Sequence, residues 1–248
     1  MTAARQGTAR SVSIIVPTYR EVENVSVLID RVKSVASAHG WDIEMLIVDD
    51  RSDDGTASVV EALGEGDWLR VIIRDGERSL SWAVIEGLRR ATHDTLVVMD
   101  ADLSHPPEAI PRLVEALREP GVDFVFGSRF VRGGATDPGW TAARRLNSLV
   151  ARLLARPLIS LRDPTSGFFA LSRARFLAAD ELAPIGYKIG LELLVKCGCR
   201  NIREVPIRFS VRLNGKTKLG LTQRLQYIEH LRRLWAYRVR KRIASAVR

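Results

Sequence analysis

Asp100-Ala101-Asp102 closes the apolar run Thr95-Leu96-Val97-Val98-Met99, and it is here that the chain most clearly offers chemistry. Two carboxylates one residue apart repel: at a separation of about 4 Å the cost is about 4 kcal/mol at an effective dielectric near 20. A hard divalent cation relieves that repulsion, and such ions bridge carboxylates to substrate phosphates. Strand alternation predicts that both acids face the same side. Asp49-Asp50 repeats the arrangement after Ile43-Glu44-Met45-Leu46-Ile47-Val48. Two acidic strand ends point to a nucleotide and its metal at the edge of a parallel sheet. The plainer alternatives are helix capping ahead of Pro106, and a loop in which Thr56 caps a helix. A phosphoacceptor aspartate of receiver type would leave the later bases unexplained.

Arg129 ends the next strand as Gly127-Ser128-Arg129. It has two readings there, as a partner for Asp102 or as a bidentate holder of a departing diphosphate. Arg212, Lys216 and Lys218 fall on a stretch with Asn214-Gly215, read as a mobile basic loop able to close over phosphates. His39, His93 and His230 are read as ordinary helix-surface or helix-end residues. No serine-hydrolase elbow, zinc-protease motif or Walker lysine loop occurs.

These residues need a frame. Strands are predicted at Val12–Val16, Ile43–Val48, Leu69–Ile73, Thr95–Met99 and Val122–Phe126. Helices are predicted at 22–39, 56–63 and 79–91, with another from Pro106. That alternation implies right-handed βαβ units, an α/β class and a mostly parallel central sheet. Further on, 142–155 and 186–196 read as helices, 167–171 as a strand, and 202–209 as a short strand pair broken by Pro206. Residues 11–210 are taken as the catalytic domain, and 211–248 as a basic loop plus an amphipathic C-terminal helix.

The formal net charge of +9 is concentrated at one end. From Leu221 onward there are eight Arg or Lys residues against Glu229 alone, interleaved with Leu225, Ile228, Leu231, Leu234, Trp235 and Val239. Such a segment suits an anionic membrane surface. Nucleic acid is the other usual partner of a basic tail, but no further feature supports it. No apolar run reaches the roughly 18 residues needed to span a bilayer. The apolar stretch ending at Pro17 reads as a first strand, not a signal peptide. Cys197 and Cys199 are spaced for neither zinc nor an ordinary disulfide, so reduced thiols and a cytoplasmic setting are expected.

Four segments taken together are identified as a family resemblance: Val16-Pro17-Thr18-Tyr19-Arg20-Glu21-Val22-Glu23-Asn24, Val48-Asp49-Asp50-Arg51-Ser52-Asp53-Asp54-Gly55-Thr56, Asp100-Ala101-Asp102-Leu103-Ser104-His105-Pro106-Pro107-Glu108 and Gly127-Ser128-Arg129. They resemble the family 2 inverting glycosyltransferases, and within them the polyprenol (dolichyl) phosphate mannosyltransferases. Asp163-Pro164-Thr165-Ser166-Gly167-Phe168 and Arg212-Leu213-Asn214-Gly215-Lys216-Thr217-Lys218 add to the likeness, which runs from Ser11 to Leu234.

The resemblance implies a GT-A type nucleotide-sugar fold and metal-dependent transfer of mannose from GDP-mannose to a polyprenyl phosphate. It places Pro17, Tyr19, Glu21, Val48 and Asp50 at the guanosine, and Asp100, Ala101 and Asp102 along the ribose and diphosphate. Asp100, Asp102 and Ser104 would hold Mg²⁺ or Mn²⁺, with Ser104 standing where the family often has glutamine. Arg129, Arg212 and Lys218 would contact phosphates. It implies a peripheral enzyme at the cytoplasmic face of a membrane, with a membrane-protein partner as a further option; membrane helices found after the catalytic domain in some relatives are not expected in this sequence. Three departures stand out: Ser79 in place of glycine, the bulky Trp82, and Lys216 in place of glutamate. They keep open another donor such as UDP-glucose, or a non-catalytic nucleotide-sugar-binding module. A soluble acceptor would need a carboxylate base, for which Asp163 and Glu192 are the nearest candidates.

Overall fold

The computed structural model describes residues 11–64, 66–210 and 221–246. Arg212, Lys216 and Lys218 therefore lie outside the described residues. The chain runs β1 (Ser11–Thr18), α1 (Val22–His39), β2 (Asp42–Asp49), α2 (Thr56–Leu63), β3 (Leu69–Ile73), α3 (Leu80–Arg90) and β4 (Thr95–Val98). A short 3₁₀ turn at Pro107–Ala109 leads into α4 (Ile110–Arg118). Then follow β5 (Phe124–Ser128), β6 (Ala135–Thr136), α5 (Ala142–Ala155), β7 (Phe169–Ser172), α6 (Arg173–Leu177), α7 (Ile189–Lys196), β8 (Ile202–Pro206), β9 (Arg208–Phe209) and α8 (Leu221–Ala246).

Seven strands form one sheet in the order β3-β2-β1-β4-β7-β5-β8. Only β7 runs against its neighbours; every other pairing is parallel. Near-continuous apolar runs such as Ile14-Ile15-Val16 and Met45-Leu46-Ile47-Val48 suit strands covered on both faces. On one face Ile15, Leu46, Val98, Phe126 and Phe169 pack under α3, α7 and α8. On the other, Ile14, Met45, Ile47, Val97 and Val125 pack under α1 and α4. Gly87 lets α3 approach closely, since a Cβ there would sit 2.5 Å from Ile15 Cγ2.

Three expectations are corrected. The segment 202–209 does hold two short strands around Pro206, but they do not pair with each other: β8 joins β5 in the large sheet, while β9 pairs with β6 in a separate two-stranded sheet. Pro206, which has no N–H, ends the first ladder. The helix expected from Pro106 starts as a 3₁₀ turn because Pro106 itself is extended. The helix expected from Gly186 begins at Ile189, with Gly186 in a left-handed conformation ahead of it. Among the described residues no helix is long and apolar enough to cross a membrane.

Candidate active site

The carboxyl ends of β1, β2 and β4 lie side by side in the sheet, and the chain turns sharply after each. The described residues contain three non-glycine residues with positive φ: Arg20, Arg51 and Leu103. One follows each of these strands. Left-handed backbone at a side-chain-bearing residue is costly and tends to gather where function overrides comfort.

At the end of β2 the two acids differ. Asp49 is fully buried, accepting from Thr18 Oγ1 at 2.8 Å and from Ser52 N at 2.6 Å. Asp50 accepts from Arg74 Nε at 2.5 Å and from the Ser79 backbone N–H at 2.7 Å. Ser79 caps α3, its side chain accepting from Trp82 N, so the departure from glycine leaves a serviceable helix start. Pro17 pairs in register with Val48. Beside them the Tyr19 ring lies 4.3 Å from the Arg78 guanidinium. Glu21 holds Asn24 Nδ2 at 2.7 Å, and its backbone N–H donates to Thr56 Oγ1 at 3.1 Å. Pro17, Tyr19, Glu21, Val48 and Asp50 thus gather on two adjoining strand ends.

The strand β4 stops at Val98, so Asp100 and Asp102 sit in a turn, not on an alternating strand. Asp102 and Ala101 are buried, while the Asp100 side chain is 30% exposed. Asp102 Oδ1 accepts from Ser104 N at 3.1 Å and from Ser104 Oγ at 2.5 Å. That bond uses the hydroxyl proton and leaves the Ser104 oxygen lone pairs for an ion. His105, which the sequence offered only as a neighbour of the two acids, is a member of the site. Its Nδ1 accepts the Asp100 backbone N–H at 3.1 Å, and its ring stacks on Phe168 and meets the edge of Phe209. Burial pushes the His105 pKa down, against the opposing pull of Asp100 and Asp102. The imidazole is therefore neutral and does not cancel the two carboxylates.

A hard cation suits this donor set. Among the described residues no group of three or more His, Cys, Asp or Glu side chains is placed to hold a metal alone. An ion at Asp100 and Asp102 would need further oxygens, as a diphosphate supplies. Gly167 backs the turn closely, since a Cβ there would lie 3.1 Å from Asp100 Oδ1.

Arg129 does not pair with Asp102. It makes a bidentate pair with Asp163, Nε to Oδ2 at 2.7 Å and Nη2 to Oδ1 at 2.6 Å, and reaches Thr165 Oγ1 at 3.0 Å. The rings of Phe130, Trp140 and Phe209 stand 5.0–5.3 Å from its guanidinium. These bonds employ Nε and Nη2, leaving Nη1 outside them. Burial alone would raise the Asp163 pKa; the Arg129 bonds and charge outweigh it and hold it below the usual carboxylate range. Lys188 Nζ donates to Thr165 O at 2.6 Å, placing a second cation beside this pair. A cue for Asp163 was present in the Asp163-Pro164-Thr165-Ser166-Gly167-Phe168 segment; nothing local marked Lys188.

The second carboxylate considered as a base is also engaged. Glu192 Oε2 lies 2.8 Å from His230 Nε2, and Oε1 accepts from Ala183 N at 2.9 Å. His230 is thus a buried interhelical contact between α7 and α8, not a surface residue. His39 is exposed, its ring tilted 5.3 Å from that of Trp41, while His93 is partly buried 3.7 Å from Asp42. Burial pushes both Cys197 and Cys199 up to about 12, so these thiols stay protonated and inert.

The family model for glycosyl transferase family 2 matches residues 13–177, which spans β1 to α6 and every turn described above. The chain belongs to glycosyl transferase family 2. It is a glycosyltransferase with a GT-A-like α/β fold. Over 92% of its length it is 42% identical to a dolichol-phosphate mannosyltransferase of Mycosarcoma maydis, covering 80% of that protein. It is 41% identical over 90% of its length to a dolichol-phosphate mannosyltransferase of Pyrococcus furiosus, of which it spans 63%. The structure resembles glucosyl-3-phosphoglycerate synthase of Mycobacterium tuberculosis, solved with Mn²⁺, uridine diphosphate and phosphoglyceric acid, with a TM-score of 0.66 and 22% identity. That likeness covers 92% of this chain and 78% of the synthase.

Proposed function

We propose that this glycosyltransferase moves mannose from GDP-mannose to a polyprenyl phosphate of dolichyl type, inverting the anomeric centre. The observation that carries the reading is the state of the carboxylates: of the two candidates for a general base, Asp163 is held in a bidentate ion pair with Arg129 and buried Glu192 is hydrogen-bonded to His230 and the Ala183 N–H. A sugar hydroxyl acceptor needs a base to remove its proton. A phosphate monoester does not, because its second pKa lies near 6 and it is already a nucleophile at neutral pH. The dolichol-phosphate acceptor in the names of the two relatives points the same way.

In this reading Pro17, Tyr19, Glu21, Val48 and Asp50 hold the guanosine, and Ala101 lines the ribose. Asp100 and Asp102, with Ser104 orienting the latter, would hold Mg²⁺ or Mn²⁺, which when bound neutralises charge on the diphosphate. The Mn²⁺ in the glucosyl-3-phosphoglycerate synthase supports a divalent ion. Arg129, held rigid by Asp163, presents Nη1 to a phosphate, and Arg212 and Lys218 add further positive charge. With the nucleophile already ionised, catalysis reduces to positioning and charge neutralisation. The basic segment 211–248 would keep the enzyme at the cytoplasmic face of a membrane, where the lipid acceptor resides.

The test is transfer of radiolabel from GDP-mannose, UDP-glucose and UDP-GlcNAc, offered in parallel, to a short polyprenyl phosphate or, separately, to a soluble oligosaccharide. Lipid-soluble label from GDP-mannose, lost in Asp102→Ala, is expected. Label only from a uridine donor would overturn the substrate, and label on a sugar acceptor would overturn the mechanism.

A further inference from the structure

One arginine beside the β1 and β2 ends is answered by a ring, where its neighbours are answered by carboxylates. Arg20 Nε donates to Asp53 at 2.9 Å, Arg51 pairs with Asp75, and Arg74 Nε donates to Asp50 at 2.5 Å. Arg78 instead lies over the Tyr19 ring, its guanidinium 4.3 Å from the centroid, and among the described residues no carboxylate pairs with it. Its side chain is exposed. A cation over an aromatic face is held by the ring without giving its N–H groups to an acceptor.

The loop that carries Arg78 is clamped on both sides. Before it, the Arg74 backbone N–H donates to Asp49 O at 2.8 Å, and the Arg74 side chain bridges Asp50 and the Glu77 carbonyl. Directly after it, the Ser79 N–H donates to Asp50 Oδ2 at 2.7 Å, and Ser79 caps α3. Both clamps close on Asp50. The guanidinium of Arg74 is thereby committed to the protein, whereas that of Arg78 is set over the tyrosine and keeps its donors.

The chemistry of a guanidinium decides what it can read. It is a planar fork of N–H donors with no acceptor. Guanine presents two acceptors side by side, O6 and N7, and a bidentate arginine is the commonest specific contact to that edge. Adenine keeps N7 but places an amino donor where guanine has O6. Uracil has no N7 at all, so half of the fork would face a carbon-bound hydrogen. A planar guanidinium stacks well on an aromatic face, which lets Tyr19 support the fork while its edge stays open.

We infer that Arg78 selects the nucleobase, its fork taking O6 and N7 of guanine while Tyr19 supports it, so that a guanosine diphosphate is preferred to a uridine or adenosine diphosphate. This deepens the proposed function and rests on its placing of guanosine at Tyr19 and Asp50. It concerns binding alone and is testable without an acceptor.

GDP, UDP and 7-deaza-GDP, in which a carbon replaces N7, are titrated calorimetrically with Mn²⁺ into the full chain and into Arg78→Ala. Arg78 is exposed, so the variant should keep the wild-type melting temperature, measured alongside. In the wild type GDP should bind about tenfold or more tighter than UDP, and 7-deaza-GDP about fivefold weaker than GDP. In Arg78→Ala the preference for GDP over UDP should shrink about tenfold, and GDP and 7-deaza-GDP should bind within about twofold of each other. An unchanged GDP preference in Arg78→Ala overturns the inference and leaves the donor reading in place. So does 7-deaza-GDP that binds the wild type as GDP does. An equal loss for GDP and UDP also overturns it, since Arg78 then serves the diphosphate and not the base. A wild type that prefers UDP overturns the proposed donor and the inference together. A GDP preference that depends on Arg78, without mannose transfer to a polyprenyl phosphate, would overturn the proposed reaction and leave the base selection standing.

Discussion

The two ends of the central sheet hold nearly the same inventory and use it differently. At the amino end Glu44, His93, Asp42 and Arg70 cluster beside Trp68; at the carboxyl end Asp100, Asp102, His105 and Arg129 cluster near Trp140. Glu44 is closed off. Ser13 Oγ donates to it at 2.5 Å, Thr92 Oγ1 at 2.9 Å and Arg70 Nη2 at 2.8 Å, so four donors including the Thr92 backbone surround a single carboxylate. Burial would raise its pKa, but these bonds prevail and leave it lowered. None of these residues has a positive φ. The carboxyl end instead places three left-handed non-glycine residues after adjoining strands and sets two carboxylates around a neutral histidine. The same residue types thus form a four-donor clasp around one carboxylate at one end and a turn of two carboxylates beside a buried histidine at the other.

Breaking the carboxyl end should cost activity, and breaking the amino end should cost stability. Asp102→Asn is expected to lower turnover by about a thousandfold with little change in melting temperature, a loss comparable to stripping the metal with a chelator. Asp163→Asn should reduce turnover by about a hundredfold and destabilise the fold by about 3 kcal/mol, because it leaves a buried guanidinium without its counter-charge. His105→Phe keeps the stacking on Phe168 but removes the acceptor for the Asp100 N–H. It should cost about tenfold in turnover at limiting metal, recovered in part by His105→Asn. Glu44→Gln should leave turnover within about twofold while lowering stability by about 1–3 kcal/mol in denaturant titration.

The two ends also share a pH signature. Glu44 and Asp163 are both held below their ordinary values of 4.5 and 3.8. Each therefore stabilises the fold fully above that value and loses its contribution as pH falls through its lowered folded value. The melting temperature should decline below about pH 4.5, with a shallower acid slope in Glu44→Gln than in the wild type.

The sheet was legible because its strands are uninterrupted apolar runs and its helices repeat at helical spacing. The turn after β4 stood out because two acids one residue apart at a strand end repel each other, with helix capping as the plainer reading. Its partners were harder to find. Asp163 lies 34 positions from Arg129, and the pair forms only because β7 returns antiparallel between β4 and β5. The Glu192–His230 contact is likewise a product of packing, since α7 and α8 meet only in the folded chain. His105 follows the Asp102 turn directly in sequence, yet its tautomer depends on a backbone N–H and its neutrality on burial. Neither is written in local pattern. Pro206 could have been read as a strand terminator, but not which sheet the following residues would join.

The most direct measurement is calorimetric titration of GDP into the full chain, with and without Mn²⁺, for the wild type, Asp102→Asn and Glu44→Gln. Expected is binding that strengthens at least tenfold with Mn²⁺ in the wild type and in Glu44→Gln, and that loses this gain in Asp102→Asn. Equal GDP binding without metal, or a metal gain that survives in Asp102→Asn, would contradict the assignment of the β4 turn as the diphosphate-metal site.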